Sequence, residues 1–199
     1  NNEISIFNKV IKEQIIEQYN KFKTNNSYEL EIRLGAIEPN KFQANIPFNL
    51  YRQIIDIISL LYKNAKYEYS VFYDLYKGNT RTRYLYIQEL KTNMPIGSIN
   101  KQSLENINIE LQYLYNLDIR FSLSNEKMVQ DTVTDKDSEL TLEKKRHSFK
   151  FTDFVFDITE ISKINKDDNG NINKEAAKFQ FEIEITNRKL TGEEIYIKF

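Results

Sequence analysis

"SYELEIRLG", residues 27–35, decides the fold. Alternate positions read Glu29, Glu31 and Arg33 on one side and Tyr28, Leu30, Ile32 and Leu34 on the other. That period of two is a β-strand with one apolar face and one ionic face. A single such strand in an antiparallel sheet ordinarily turns its ionic face to water. Four more strands share the habit. Arg120, Ser122, Ser124 and Glu126 lie opposite Ile119, Phe121 and Leu123, and Lys144, Arg146, Ser148 and Lys150 form one parity of their strand. Asp153, Asp157 and Thr159 oppose Phe154, Phe156 and Ile158, and Gln180, Glu182, Glu184 and Thr186 oppose Phe179, Phe181, Ile183 and Ile185. Arg81 and Arg83 add a basic pair. A generic wet face mixes signs, whereas here carboxylates and cations sort by strand. The apolar faces are large and aromatic and need cover outside. A barrel with a polar interior satisfies both demands.

The rest of the chain, many antiparallel strands and a few helices, fits one α+β domain, either a sandwich or a closed barrel, and the sorted charges favour the barrel. Apolar residues from Ile4 to Phe22 recur at helical spacing, as do Leu50, Ile54, Ile57, Ile58 and Leu61 in a second helix over 49–63, with Asn49 as its expected N-cap. Strands are expected at 67–76, 80–90, 117–126, 139–151, 153–162 and 178–186, with "KGNT" as a hairpin turn. "NMPIGS" (93–98) reads as a loop, 165–177 as a long polar turn and the final "EEIYIKF" as strand-like. No repeat or linker divides the 199 residues, so 1–199 is read as a single domain. It starts at Asn1 without Met and is expected to be excised from a longer protein.

Composition excludes several chemistries. There is no Cys and one histidine, His147. Disulfides, Cys/His zinc sites and cysteine nucleophiles are therefore out. The five glycines form neither a P-loop nor a dinucleotide turn. "KDDNG" (166–170) misses the Lys-x-Asp-Gly motif of covalent nucleotidyl transferases, its glycine one place late. A net charge of −1 does not suit coating of long nucleic acid but leaves room for a locally basic pocket. No apolar run approaches about 18 residues, so no membrane span is expected.

Residues i and i+2 on a strand point the same way, about 6.6 Å apart. Two Glu-x-Glu strands facing each other across a barrel would crowd four carboxylates and raise their pKa values. A hard divalent cation relieves that cost, and oxygen-only ligands favour Mg²⁺ or Mn²⁺. The basic strands then need an anion that also binds metal, and a polyphosphate meets both requirements.

At this point the residues resemble a known family. "ELEIRLG" and "FEIEIT" resemble the two glutamate motifs of the triphosphate tunnel metalloenzymes. "DIRFSLSNE", "EKKRHSF" and "FDIT" resemble middle strands of its RNA triphosphatase branch, and "TRTRYL" and "KQSLENI" its basic segments. The Asn-, Lys- and Ile-rich composition is similar to that of large DNA viruses, as in the capping enzymes of mimivirus-like viruses. Two positions depart from the pattern: Gln180 stands where a third glutamate often heads the last motif, and Val155 where an Arg commonly sits.

The resemblance implies an eight-stranded tunnel that removes the γ-phosphate of 5′-triphosphate RNA, the first step of mRNA capping. It implies a covalently linked guanylyltransferase domain and an intracellular, viral setting. It also implies roles. Glu29, Glu31 and Glu184 bind Mg²⁺ or Mn²⁺, with Glu182 beside them. Arg81, Arg83, Lys144 and Arg146 neutralise developing charge. Glu126 orients or deprotonates the attacking water, and Asp157 orients a neighbour. Lys101, Arg120, Ser122 and Ser148 complete the substrate-facing set, the serines as hydrogen-bonding props. Arg33 is either a phosphate contact or an internal counter-charge. Glu143 and Lys145 have the opposite parity and are expected at the surface, and His147 as a spacer. Two alternatives stand beside this. One is a tunnel acting on inorganic triphosphate, thiamine triphosphate or free nucleotides. The other is a non-enzymatic β-domain used for binding.

Overall fold

The computed structural model describes residues 2–62, 65–87, 92–111, 117–166 and 171–198. Ten strands are present among them: β1 (Tyr28–Glu38), β2 (Lys41–Gln43), β3 (Lys66–Lys77), β4 (Thr80–Ile87), β5 (Thr92–Ile109), β6 (Asp118–Val129), β7 (Leu140–Lys150), β8 (Phe154–Lys166), β9 (Ile172–Lys174) and β10 (Lys178–Ile185). Three helices accompany them: α1 (Asn2–Thr24), α2 (Phe48–Leu61) and α3 (Gly192–Lys198).

Eight strands close on themselves in the order β10-β1-β6-β5-β4-β3-β7-β8, with β8 pairing back to β10. Every pairing is antiparallel. The barrel expected from the strand parities is therefore present, with the eight antiparallel strands that the resemblance implies. β2 and β9 are short arms that pair only with the ends of β1 and β8.

The apolar parities face outward and the helices cover them. Tyr19 and Phe22 of α1, with Ile195 of α3, pack against Leu30, Ile32, Phe121 and Leu123. Tyr51 and Ile58 of α2 pack against Phe149 and Ile158, with Phe156, Phe179 and Phe181 around them. The cores thus lie between the barrel wall and the helices, which frees the interior for polar side chains. No helix among the described residues is long and apolar enough to cross a membrane.

Several local expectations are corrected. "NMPIGS" lies inside β5, where Pro95 pairs with Tyr84 beside a register shift. A bulge there accommodates a residue that has no N–H to donate. α2 begins at Phe48 after an extended Pro47, with no side-chain cap from Asn49. The expected polar turn at 165–177 contains β9, and Asn165 and Lys166 belong to β8. Within "KDDNG" residues 167–170 lie outside the described residues. The strand-like C-terminal stretch is helical. Glu194 N–H donates to Thr191 Oγ1 at 3.1 Å and Thr191 N–H to the Glu194 carboxylate at 2.7 Å, a reciprocal capping box that starts α3.

Candidate active site

Residues directly opposite in an antiparallel pair project from the same face. Register therefore converts the sequence parities into one interior surface. Glu31 faces Glu184 and Arg33 faces Glu182 across β1–β10. Across β1–β6, Glu29, Glu31 and Arg33 face Ser124, Ser122 and Arg120. Lys101 faces Glu126, and Ser148 faces Asp157. The interior is a cavity of about 840 Å³, walled on one side by Glu29, Glu31, Glu182 and Glu184 and on the other by Arg81, Arg83, Lys144 and Arg146.

Ion pairs run across it. Lys101 lies between three carboxylates, in contact with Glu29, 3.4 Å from Glu31 and 3.1 Å from Glu126. Arg33 bonds Glu31 at 2.5 Å. Its Nε is 2.9 Å from Glu182 but off the hydrogen-bond axis, so this contact is an ion pair only. Arg146 reaches Asp157 at 2.8 Å, Glu182 at 3.6 Å and Thr159 at 3.1 Å. Ser148 donates to the other oxygen of Asp157 at 2.5 Å. Asp74, which is fully buried, takes a bidentate bond from Arg83 at 2.7 and 2.8 Å and a contact from Lys144 at 2.9 Å. The Arg83 guanidinium lies 3.9 Å from the centre of the Phe72 ring, and that of Arg146 5.3 Å from it.

Two groups are left over. Arg81 makes no ion pair among the described residues, and its buried Nε has no hydrogen-bond partner. Glu184 makes no ion pair among the described residues. Burial, then repulsion from Glu29 and Glu31, pushes its carboxyl up to about 7. Glu31 is also raised, by burial and by Glu182. Glu182 moves the other way because Arg33, Arg146 and Lys144 outweigh its burial.

Among the described residues no three acidic side chains already converge as a metal cluster. The Lys101 ammonium lies among Glu29, Glu31 and Glu126 and supplies their counter-charge. The donor chemistry still fits a hard cation, since all donors are carboxylate oxygens and Glu184 makes no ion pair among the described residues.

Glu184 yields a pH prediction for metal-free protein. Its folded pKa lies above the usual value of about 4.3. Between that value and about 7 the folded chain holds a proton that the unfolded chain has released. Its contribution therefore lowers stability as pH rises through that window. In chelator, Glu184→Gln should flatten this slope in thermal-midpoint scans from pH 4.5 to 7.5. An unchanged slope would remove the crowding inferred at Glu184.

The predicted residues do not all reach the cavity. Glu29, Glu31, Arg33, Arg81, Arg83, Lys101, Glu126, Lys144, Arg146, Asp157, Glu182 and Glu184 line it. Ser148 faces inward but is engaged with Asp157. Ser122 donates to Asn106 at 2.8 Å, and Arg120 donates to Asn108 at 2.8 Å. Lys145 points outward to Glu160. Glu143 also points outward but is not a plain surface residue, since it accepts from Tyr73 and Lys174 and its side chain is 14% exposed. His147 is on the outer face, its Nδ1 2.9 Å from the Tyr67 hydroxyl. Sequence reasoning missed Asp74 and Phe72. Their signal was parity, because Glu68, Ser70, Phe72 and Asp74 alternate with Tyr67, Tyr69, Val71 and Tyr73.

Comparison with known proteins follows the same line. A family model described as "mRNA capping enzyme, beta chain" matches residues 5–195. No curated protein sequence matches. Among solved structures, the S. pombe Pct1 RNA triphosphatase is similar at TM-score 0.67 and 16% identity, over 91% of this chain and 78% of that one. A mimivirus capping enzyme triphosphatase is similar at TM-score 0.59 and 14% identity, over 94% and 93% of the two chains. The RNA triphosphatase domain of a trifunctional mimivirus mRNA capping enzyme is similar at TM-score 0.56 and 11% identity, over 94% and 92%. At these identities the structures speak for the tunnel fold alone. The family match spans the whole barrel and its interior, and on it the chain belongs to the mRNA capping enzyme beta-chain family, the RNA triphosphatases of cap formation.

Proposed function

We propose that the interior of this barrel releases the γ-phosphate of 5′-triphosphate RNA with a divalent cation, giving 5′-diphosphate RNA and phosphate. The observation that carries this is a pair of complementary deficits in one cavity. Arg81 is a half-buried cation and Glu184 a crowded carboxylate, and neither makes an ion pair among the described residues. A metal–polyphosphate pair supplies both. Glu29, Glu31 and Glu184 would hold Mg²⁺ or Mn²⁺, with Glu182 beside them. When bound, the metal supplies Lewis-acid polarisation of a phosphate oxygen.

The chain's own residues do the remaining work. Arg81 offers its unpaired guanidinium to a non-bridging oxygen. Lys144 and Arg146 stabilise charge as the P–O bond breaks, held in place by Asp74 and by Asp157. Arg83 is fixed by Asp74 and by the Phe72 ring, so it meets the phosphates without reorganising. Glu126, at the carboxylate-rich end of the cavity, orients or deprotonates the attacking water. Ser148 keeps Asp157 aimed at Arg146. We also assign this domain to a longer capping enzyme with a linked guanylyltransferase. The trifunctional mimivirus enzyme supports that assignment by analogy.

The test is phosphate release from triphosphate-ended RNA in Mg²⁺, in Mn²⁺ and in excess chelator. Release should depend on metal and should resist thiol reagents, because the chain has no Cys. Full turnover in chelator would remove the metal from the mechanism.

A further inference from the structure

The two ends of the tunnel differ. The wall formed by β10, β1 and β6 carries Glu184, Glu29 and Glu126 at one end. At the other end the same three strands carry Lys178, Gly35 and Arg120, with Asp118 opposite Gly35 fully buried and accepting from the Ile37 and Leu111 N–H groups. The β2 arm folds over this second end. Its approach depends on Gly35, since a Cβ there would lie 2.1 Å from the Gln43 carbonyl oxygen. The arm places Phe42 in the cavity lining, half-buried. Arg120 faces Arg33 across β1–β6, yet among the described residues Arg33 has carboxylate partners and Arg120 makes no ion pair. The Arg120 guanidinium instead lies 4.6 Å from the centre of the Phe42 ring, held by Asn108. Burial and the nearby Arg33 lower its pKa, as expected for a cation short of anions. Lys178 also makes no ion pair among the described residues.

We infer that Phe42 and Arg120 form a reading platform for the first nucleotide of the RNA, the Phe42 ring stacking on its base and Arg120 on a backbone phosphate. This rests on the reading of the tunnel as an RNA triphosphatase and adds how the polynucleotide is distinguished from a bare polyphosphate. Charge sets the direction of approach. At the first end three carboxylates outnumber Lys101 and Arg188, whereas the second end offers Arg120 and Lys178 with no ion pair among the described residues, so a polyanionic strand is drawn to the second. An aromatic ring beside unpaired cations suits unpaired nucleotides, and stacking tolerates any base because every base has a π-face. The triphosphate would thread past Arg33 into the cavity while the first base stays on the arm.

The test compares kcat and KM of wild type, Phe42→Ala, Phe42→Tyr and Arg120→Gln on a 5′-triphosphate oligoribonucleotide and on inorganic tripolyphosphate. Phe42→Ala should lower the ratio of kcat/KM for RNA to kcat/KM for tripolyphosphate about 10-fold, mostly through KM for RNA, the scale of one lost stacking contact. Phe42→Tyr should restore the ratio. Arg120→Gln should also lower it and make the KM for RNA less salt-dependent. An unchanged ratio in Phe42→Ala, with tripolyphosphate turnover showing an intact tunnel, overturns the platform while leaving the function in place. Equal losses on both substrates would mean that Phe42 only shapes the tunnel. A wild-type chain inactive on both substrates, with metal present, would sink the underlying function and this inference with it.

Discussion

Arg146→Ala should lower turnover on triphosphate RNA by at least ~100-fold, the scale of a lost transition-state electrostatic contact. Lys145→Ala, one residue earlier on β7, should change turnover only slightly and stability by roughly 0.5 kcal/mol or less. Both are cations on one strand, so charge alone cannot produce the difference. Parity does. Arg146 projects into the cavity, where it ties Asp157 to Glu182 across two strands. Lys145 projects outward to a partly exposed Glu160. Glu31→Ala and Glu184→Ala should match Arg146→Ala in turnover without unfolding the barrel. In chelator, Glu184→Ala should melt no lower than wild type, because it removes an uncompensated carboxylate from a crowded wall. The measurements are turnover and thermal midpoint for each variant, with and without Mg²⁺. Similar losses at Lys145 and Arg146 would return these faces to ordinary solvent-facing roles.

Parity was legible because the period of two survives any error in strand boundaries. Once Glu29, Glu31 and Arg33 share a face with Glu182 and Glu184 on another strand, the inside of the barrel is specified without register. What parity cannot supply is which side chains meet. That Arg33 bridges Glu31 to Glu182, while Lys101 holds Glu29 and Glu126, depends on strand order and on the closing pair β8–β10. These are long-range facts with no local signature.

Asp74 was hidden for a different reason. The inward parity of β3 contains Phe72 and Tyr76, so it does not look like an ionic face. In the fold those aromatics serve the ions: Phe72 lies beneath two guanidinium groups, and the Tyr76 hydroxyl takes a bond from Lys144 at 3.3 Å. At the C-terminus the alternating "EEIYIKF" suggested a strand, but Thr191 and Glu194 outweigh it by satisfying the first free N–H groups of a helix that buries Ile195 against α1. In β5, Pro95 and Gly97 read as loop residues because local propensity does not register a bulge.

Asp74→Ala should produce the largest stability loss of any single substitution in the tunnel, about 3–5 kcal/mol, because it strands buried cations. The side chain is fully buried and serves Arg83 through both oxygens and Lys144 through one. Burial alone would raise its pKa, but the Arg83 bonds and the Lys144 charge outweigh it and hold the carboxyl well below the usual range. The sign follows from that depression. The contribution is present above the unfolded value of about 3.9 and is lost as pH falls through the lower folded value. Wild type should therefore keep this contribution at pH 4.5, and the gap to Asp74→Ala should shrink only in stronger acid. Asp74→Asn keeps the shape but not the charge and should fall between the two. A triple variant, Asp74→Leu with Arg83→Met and Lys144→Met, separates stability from function. Replacing the whole ionic group with apolar side chains should recover much of the urea midpoint while leaving turnover abolished. If Asp74→Ala unfolds at the wild-type midpoint, Arg83 and Lys144 find other partners or water, and Asp74 does not fix the phosphate-facing cations.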